Sequence, residues 1–229
     1  MTDAHCHVTG GDPSVRELLV GRDFVGVHPW EAFELGPEDI RRKTEDLASR
    51  LSSSVSSPSE PLLGVGEIGL DRLKERDISP VMRELFEAQL KLAFEFNRPV
   101  VLHGAKCWGQ VVKTVQGACE QARTHKTGAF LFHGFSRSDG LIPDIVKLNG
   151  YVSVGPAVLN DHAVNYRELV KKIPAERLLL ETDRTPENAA TCPSVREVAA
   201  KVAELKGVSI DELETLTDRN AEGFLGCCR

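Results

Sequence analysis

Short, continuous apolar runs alternate along this chain with amphipathic stretches of helical periodicity. Runs that are apolar throughout are typical of parallel strands buried on both faces. Strands are predicted at residues 2–8, 24–28, 62–68, 100–103, 129–133, 151–154 and 178–181. Alternation of strands and helices at this spacing predicts an α/β fold with a parallel sheet, either a barrel or an open sheet.

Amphipathic helices are expected between these strands. The clearest spans residues 79–96, where Ser79 can cap the helix, Pro80 suits its first turn and one face is apolar. Ser209 and Glu212 have the spacing of a capping box for the last helix. Further helices are predicted at residues 37–51, 109–124, 163–172 and 194–205, and a Ser- and Pro-rich loop at residues 51–61.

Length and composition fit one globular domain over residues 1–229. The six cysteines include no CxxC pair, and neither a secretory signal nor a run long enough to span a membrane is present. We therefore expect a cytoplasmic protein, with the nucleus as a second location. A net charge of −6 argues against a broadly basic surface for nucleic acid. It does not exclude a nucleic-acid substrate, because bound divalent cations would offset the acidic charge locally.

Side chains that bind metals stand at the ends of successive predicted strands. His5 and His7 are two positions apart, so in an extended strand both point the same way and can bind one ion. The other strand-end residues of this kind are His28, Glu67, His103, His133 and Asp183. The carboxyl ends of the strands of a barrel hold its active site, so the pattern predicts a metal centre there.

The residue types also indicate how many metal ions to expect. Four imidazoles and two carboxylates exceed what one tetrahedral zinc requires, and a carboxylate such as Glu67 can bridge two ions. We expect two divalent ions: Zn, Mn or Fe suit mixed nitrogen and oxygen ligands, and Mg suits them less naturally. Such a centre activates a water molecule, and Asp183 is the candidate to orient that water and take its proton.

The motifs that carry these residues resemble the TatD-like metal-dependent hydrolases of the amidohydrolase superfamily. The matching words are DAHCHV at 3–8, GVHPW at 26–30, GVGEIGLD at 64–71, PVVLHG at 99–104, FHGFSRS at 132–138 and LLLETDRTP at 178–186. The resemblance implies a TIM-like barrel and phosphodiester hydrolysis, typically by a 3′ to 5′ deoxyribonuclease acting on DNA ends. It implies as ligands of a two-metal centre His5, His7, Glu67, His103, His133 and Asp183.

The N-terminal region departs from the family pattern. Only eighteen residues separate His7 from Gly26, where family members have about one whole βα unit. We predict one short helix at residues 13–20 and no extra strand, which leaves a barrel that is distorted, one βα unit short or closed by another segment. An exposed strand edge would favour pairing with a second copy of the chain.

Substrate contacts are predicted from residue types near the strand ends. Arg72, Lys106, Arg137 and Arg184 are each either a phosphate contact or a solvated loop charge. His28 either contacts the scissile phosphate or the leaving group, or is structural.

Two aromatic residues and one carboxylate near the strand ends have two interpretations each. Trp108 and Phe135 either stack on a base or pack against helices. Glu181 is expected to brace neighbouring backbone or a ligand histidine rather than bind metal.

Three functions from different classes follow. The first is a two-metal phosphodiesterase acting on DNA ends. The second is a metallohydrolase acting on a small ester, lactone or amide, since the same centre polarises many substrates. The third is an inactive scaffold or partner-binding protein that has kept the motifs. An open channel lined by Arg72, Lys106 and Arg184 would favour the first, and a small closed apolar pocket the second.

Overall fold

Eight parallel strands lie at the centre of the part of the chain that the structure describes. The computed structural model describes residues 1–56, 62–122 and 128–226. The strands are β1 Thr2–Cys6, β2 Arg16–Leu19, β3 Phe24–Val25, β4 Gly64–Asp71, β5 Val100–Ala105, β6 Phe130–Phe132, β7 Gly150–Val154 and β8 Leu178–Leu180. Each of the seven predicted strands corresponds to one of these.

The strands follow one another in chain order. β3 to β8 form a six-stranded sheet, β1 pairs with β2, and a parallel bridge joins Val20 to Phe24. Just beyond β8, the amide of Asp183 donates to the carbonyl of His5 at 3.0 Å, and the amide of His7 donates to the carbonyl of Arg184 at 2.8 Å. Backbone hydrogen bonds therefore lead from the last strand back to the first.

Within the described residues, seven α-helices accompany the strands. They are α1 Pro37–Ser56, α2 Pro80–Glu95, α3 Trp108–Ala122, α4 Ile142–Lys147, α5 Val164–Lys172, α6 Val195–Lys206 and α7 Ile210–Leu225. Ser79 caps α2 as predicted, accepting a hydrogen bond from the amide of Met82 at 3.1 Å. The capping box of Ser209 and Glu212 at the start of α7 is also confirmed.

The region between β1 and β3 differs from the prediction. Residues 13–20 do not form a helix; they contain β2, the strand that was expected to be missing. The apolar residues Val15, Leu18 and Leu19 have helical spacing, but Thr2 and Asp3 pair with Arg16 and Glu17 and hold this segment extended. Residues 1–25 are all described, and no helix follows β1 or β2 there. The barrel therefore lacks these two helices, whereas the strand that was expected to be missing is present.

Two smaller predictions also need correction. Helix α1 continues to Ser56, so the first part of the predicted loop at residues 51–61 is helical, and residues 57–61 lie outside the described chain. The short helix α4 was not predicted at all.

The core consists of two apolar layers separated by the sheet. Phe86, Val111 and Phe132 belong to the larger layer between strands and helices. The smaller layer includes Val101 and Leu131 on the inner face of the strands, and Phe224 of α7 joins it. His103 and His133 lie two positions after these inner residues, so the same face of the sheet carries them.

The architecture is a TIM-like (β/α) barrel distorted near its N-terminus. Parallel strands in chain order with helices outside them are the defining features of this fold. Among the described residues, no helix has both the length and the apolar character needed to cross a membrane.

Candidate metal centre

The six predicted metal ligands come together at the carboxyl ends of the strands. His5 and Cys6 are the last two residues of β1, and His7 follows directly after the strand. Glu67 and His103 lie within β4 and β5, while His133 follows β6. Asp183 lies three residues after β8. Because parallel strands end at the same edge of the sheet, residues more than a hundred positions apart share one site.

The carboxylate of Glu67 lies at the centre of the cluster. Its Oε1 is 2.5 Å from His103 Nδ1, 2.6 Å from His133 Nε2 and 3.4 Å from His28 Nε2. Its Oε2 faces the other side, 3.6 Å from His5 Nε2 and 3.7 Å from His7 Nε2. One carboxylate thus faces two groups of imidazoles, the position required of a bridging ligand.

Asp183 completes the group around His5 and His7. Its Oδ1 is 3.5 Å from Nε2 of both histidines. Burial alone would raise the pKa of Asp183, but the adjacent imidazoles of His5 and His7 outweigh burial and hold the pKa well below its usual range. Since about half of its side-chain surface is exposed, Asp183 is an ionised acceptor within reach of solvent.

The other buried groups also influence one another electrostatically. Burial alone would raise the pKa of Glu67, but the charge of His133 and the hydrogen bonds from the surrounding imidazoles lower it well below the usual range. Burial alone would lower the pKa of His133, yet the neighbouring carboxylates, Glu67 above all, raise it to about 10. Burial lowers the pKa of His5, and the charge of His133 lowers it further.

The donor set fits divalent metal ions. Three groups of side chains place their ligand atoms within 4.8 Å of one another: His5, His133 and Asp183; His5, His7 and Glu67; and His28, Glu67 and His103. The buried His5 Nε2 has no hydrogen-bond partner among the described residues, although buried polar atoms are normally paired. A metal ion at this position would satisfy that atom, and imidazole and carboxylate ligands suit zinc or manganese.

One supporting carboxylate, Asp71, has a role that the sequence alone did not reveal. Asp71 is fully buried, and its Oδ2 is 2.7 Å from His103 Nε2. Asp71 lies four positions after Glu67 in β4, so the strand alternation that places both on one face was the available signal.

Glu181 braces the loop after β6. Its Oε1 accepts a hydrogen bond from the amide of Gly134 at 2.7 Å, and its Oε2 accepts one from Ser153 Oγ at 2.6 Å. Its Oε2 is also 3.9 Å from His133 Nδ1. Support of backbone next to a ligand histidine is what the sequence predicted for this residue.

The predicted substrate contacts lie at different distances from the cluster. His28 is nearest, with its ring centroid 4.7 Å from that of His103. Lys106 is exposed in the turn after β5. Arg72 Nε donates to the carbonyl of Arg76 at 2.5 Å, so the guanidinium of Arg72 stabilises the loop after β4 to which it belongs. The guanidinium of Arg184 lies against Gly10, and its Nη2 donates to the carbonyl of Cys192 at 3.4 Å.

Trp108 and Phe135 do not present a ring to the site. Both are buried, and their ring centroids lie 5.3 Å apart within the larger apolar layer. Of the two interpretations of these aromatic residues, packing is therefore correct.

A cavity of about 1200 Å³ opens beside Asp183. The loops after β6, β7 and β8 form its walls, with Arg137, Gly155 and Asn188 among the lining residues. Arg137 is exposed and, in the chain as described, forms no ion pair. Asp183 therefore borders a space larger than most small-molecule pockets.

Comparison with known proteins identifies relatives over most of the chain. The family described as TatD related DNase matches residues 21–226. The chain is 30% identical over 217 residues to YabD of Bacillus subtilis (strain 168), described as an uncharacterized metal-dependent hydrolase, covering 90% of this chain and 79% of YabD. It is 28% identical over 208 residues to the 3′-5′ ssDNA/RNA exonuclease TatD of Pantoea vagans (strain C9-1), covering 86% and 74% respectively.

Solved structures support the fold. YJJV, a TatD homologue from Escherichia coli k12, superposes with a TM-score of 0.68 at 24% identity, covering 93% of this chain and 78% of YJJV. The family match begins before β3 and ends after α7, so it includes Glu67, His103, His133 and Asp183. The chain therefore belongs to the TatD-related DNase family of metal-dependent hydrolases.

Proposed function

We propose that this protein is a divalent-metal-dependent phosphodiesterase that removes nucleotides from the 3′ ends of DNA with two metal ions and an activated water. The observation that carries the proposal is the convergence of four imidazoles and the Asp183 carboxylate on the two sides of Glu67. The names of two relatives agree with it: the Pantoea exonuclease and a putative deoxyribonuclease, TATDN3, from Mus musculus, which is 30% identical over 209 residues.

Each side of Glu67 would hold one ion. His5, His7 and Asp183 would bind the first, His103 and His133 the second, and Glu67 would bridge them. When bound, divalent ions acidify a water molecule and stabilise the charge that develops on a phosphate. This assignment leaves His28 beside the cluster, where its Nε2–H can hydrogen bond to a phosphate oxygen or the leaving group.

Asp183 would act as the proton acceptor. It is the one carboxylate of the cluster with substantial solvent access, and its low pKa keeps it ionised at neutral pH. An ionised carboxylate next to the attacking water orients it and takes its proton. Glu67, buried and surrounded by imidazoles, is suited instead to holding the site together.

The cavity beside Asp183 supports an extended substrate. Its volume, about 1200 Å³, exceeds the roughly 300–1,000 Å³ typical of small-molecule pockets. It opens beside Asp183, and its lining includes Arg137, which forms no ion pair with a described residue and can bind a phosphate; Arg72, Lys106 and Arg184 do not line it. These properties favour a nucleic-acid strand over a small ester, lactone or amide.

The test combines metal analysis with a nuclease assay. The protein is purified without chelator, its bound metals are quantified, and labelled single-stranded DNA is incubated with added magnesium or manganese. We expect stepwise shortening from the 3′ end by the wild type and losses of at least a hundredfold in Asp183→Asn and Glu67→Gln. Glu38→Gln, which changes an exposed glutamate on α1, is the matched control.

Three results would contradict the proposal. Less than one metal ion per chain, with no hydrolysis distinguishable from the two variants, would favour the scaffold. Metal binding with cleavage of small esters and not of DNA would favour the second hydrolase. Shortening from the 5′ end would contradict the polarity alone.

A further inference from the structure

Trp30 is an exposed aromatic ring at the mouth of the metal cluster. Among the large apolar side chains that are exposed in the described chain it is the one aromatic, with 44% of its surface accessible. Its ring centroid lies 5.1 Å from that of His28, and His28 Nε2 is 3.4 Å from Glu67. A single imidazole therefore separates this indole from the centre of the cluster.

The surrounding turn holds Trp30 in place. Its amide donates to His28 Nδ1 at 3.1 Å, and the amide of Glu31 donates to the carbonyl of His28 at 2.9 Å. The indole also lies close enough to Asp71, the buried carboxylate behind His103, to lower the pKa of that carboxyl. An exposed ring that is fixed by its neighbours presents a surface without losing side-chain freedom when a ligand binds.

A lysine lies next to this ring. The ammonium of Lys74, in the loop after β4, is 4.5 Å from the centroid of Trp30. Within the described residues Lys74 forms no ion pair, so its charge is available to another anion. Its flexible stem allows the ammonium to follow a phosphate while the ring stays fixed.

We propose that Trp30 and Lys74 form a nucleotide subsite, in which the indole stacks on an unpaired terminal base and the ammonium binds the adjoining phosphate. The inference rests on the proposed function and specifies its substrate as a single-stranded end. Proteins that bind single strands combine aromatic stacking with cations along the backbone in this way. A base inside a duplex is already stacked and paired, so it cannot use the indole.

The test compares two single-stranded oligonucleotides that differ only in the 3′-terminal residue, which carries a base in one and is abasic in the other. We expect the wild type to prefer the first in kcat/KM, and Trp30→Ala to reduce that preference about tenfold to a hundredfold. Trp30→Phe should retain most of the preference, because phenylalanine also stacks. Ile210→Ala, at an exposed apolar position on α7, is the control.

Fluorescence measures the same contact without turnover. The chain has two tryptophans, and Trp108 is buried, so the emission lost in Trp30→Phe belongs to Trp30. An oligonucleotide protected by phosphorothioate linkages should quench that emission when its terminal residue carries a base, and not when it is abasic. Lys74→Ala should weaken binding of both oligonucleotides equally and reduce its salt dependence.

The two proposals fail in different ways. If the wild type shortens DNA but Trp30→Ala keeps the full preference for a terminal base, the subsite is wrong and the nuclease proposal stands. If the wild type cleaves no nucleic acid, the nuclease proposal is wrong. In that case the subsite is also wrong if the two oligonucleotides quench the Trp30 emission equally, with or without a terminal base, or if neither quenches it.

Discussion

Asp71 Oδ2 lies 2.7 Å from Nε2 of His103, and both groups are largely shielded from solvent. Since an ionised carboxylate can only accept, the imidazole donates through Nε2 and directs Nδ1 toward Glu67. Burial alone would raise the pKa of Asp71, but the hydrogen bonds from His103 and from the amide of Leu73, together with the nearby indole of Trp30, outweigh burial and lower it. Asp71 therefore determines that His103 presents Nδ1, and not Nε2, to the candidate metal centre.

Replacing Asp71 should therefore weaken metal binding. We expect Asp71→Asn to lower metal affinity about ten- to a hundredfold, because outer carboxylates orient ligand histidines and increase their basicity. Competition with a coloured chelator measures the affinity. Asp77→Asn, an exposed aspartate in the following loop, is the control, and equal affinity in the two variants would contradict the prediction.

Metal binding should also stabilise the fold. No described residue forms a hydrogen bond with the buried His5 Nε2, so stripping the protein with a chelator leaves this atom unsatisfied. Adding zinc or manganese at a hundred times its Kd should raise the free energy of unfolding by about 2.7 kcal/mol. His5→Ala should lose most of this gain in thermal or urea denaturation, whereas His162→Ala, at an exposed histidine, should keep it. An undiminished gain in His5→Ala would show that the metal binds elsewhere.

Arg137 should contribute to binding of an extended strand. It lines the cavity beside Asp183, and an arginine that contacts a phosphate releases about one counterion. We expect Arg137→Ala to raise KM for oligonucleotides and to reduce the slope of log affinity against log salt by about one. Arg50→Ala, at an exposed arginine of α1 outside the cavity, should change neither quantity. If the slope of log affinity against log salt is the same in Arg137→Ala and Arg50→Ala, Arg137 does not contact the bound strand.

Gly69 should tolerate no side chain. Its φ is +151°, and an added Cβ would lie 2.0 Å from the carbonyl oxygen of His103 on the neighbouring strand. We expect Gly69→Ala to lower the free energy of unfolding by about 2–4 kcal/mol. Gly117→Ala, in α3 where an added Cβ meets nothing within 4 Å, should instead raise it by up to about 1 kcal/mol. Urea denaturation monitored by circular dichroism measures the free energy of unfolding of each variant. Equal denaturation midpoints for Gly69→Ala and Gly117→Ala would contradict the prediction.

The sequence predicted most of the frame because the strands after β2 consist mainly of apolar residues. It also located the ligands, since a polar residue at the end of a buried strand such as β5 or β6 is conspicuous. β2 was missed for the opposite reason. The segment Arg16–Leu19 is half exposed and has the apolar spacing of a helix, and only its pairing with β1 makes it a strand.

The contacts between strands could not be predicted. That Asp71 meets His103 depends on the register of β4 against β5, which pairs Gly69 with His103. That Trp108 is buried while Trp30 is exposed depends on which side of each turn faces the helices. Such relationships are set by packing in three dimensions, and neither composition nor periodicity contains them.

The hydrogen bonds between β1 and the segment after β8 have a consequence for biosynthesis. His5 and His7 leave the ribosome before Asp183, the residue that faces both, which follows some 175 positions later. A nascent chain therefore exposes two imidazoles long before their acidic partner exists. The proposed metal can be held in full only after the two distant segments meet, so metal loading would mark the completion of folding.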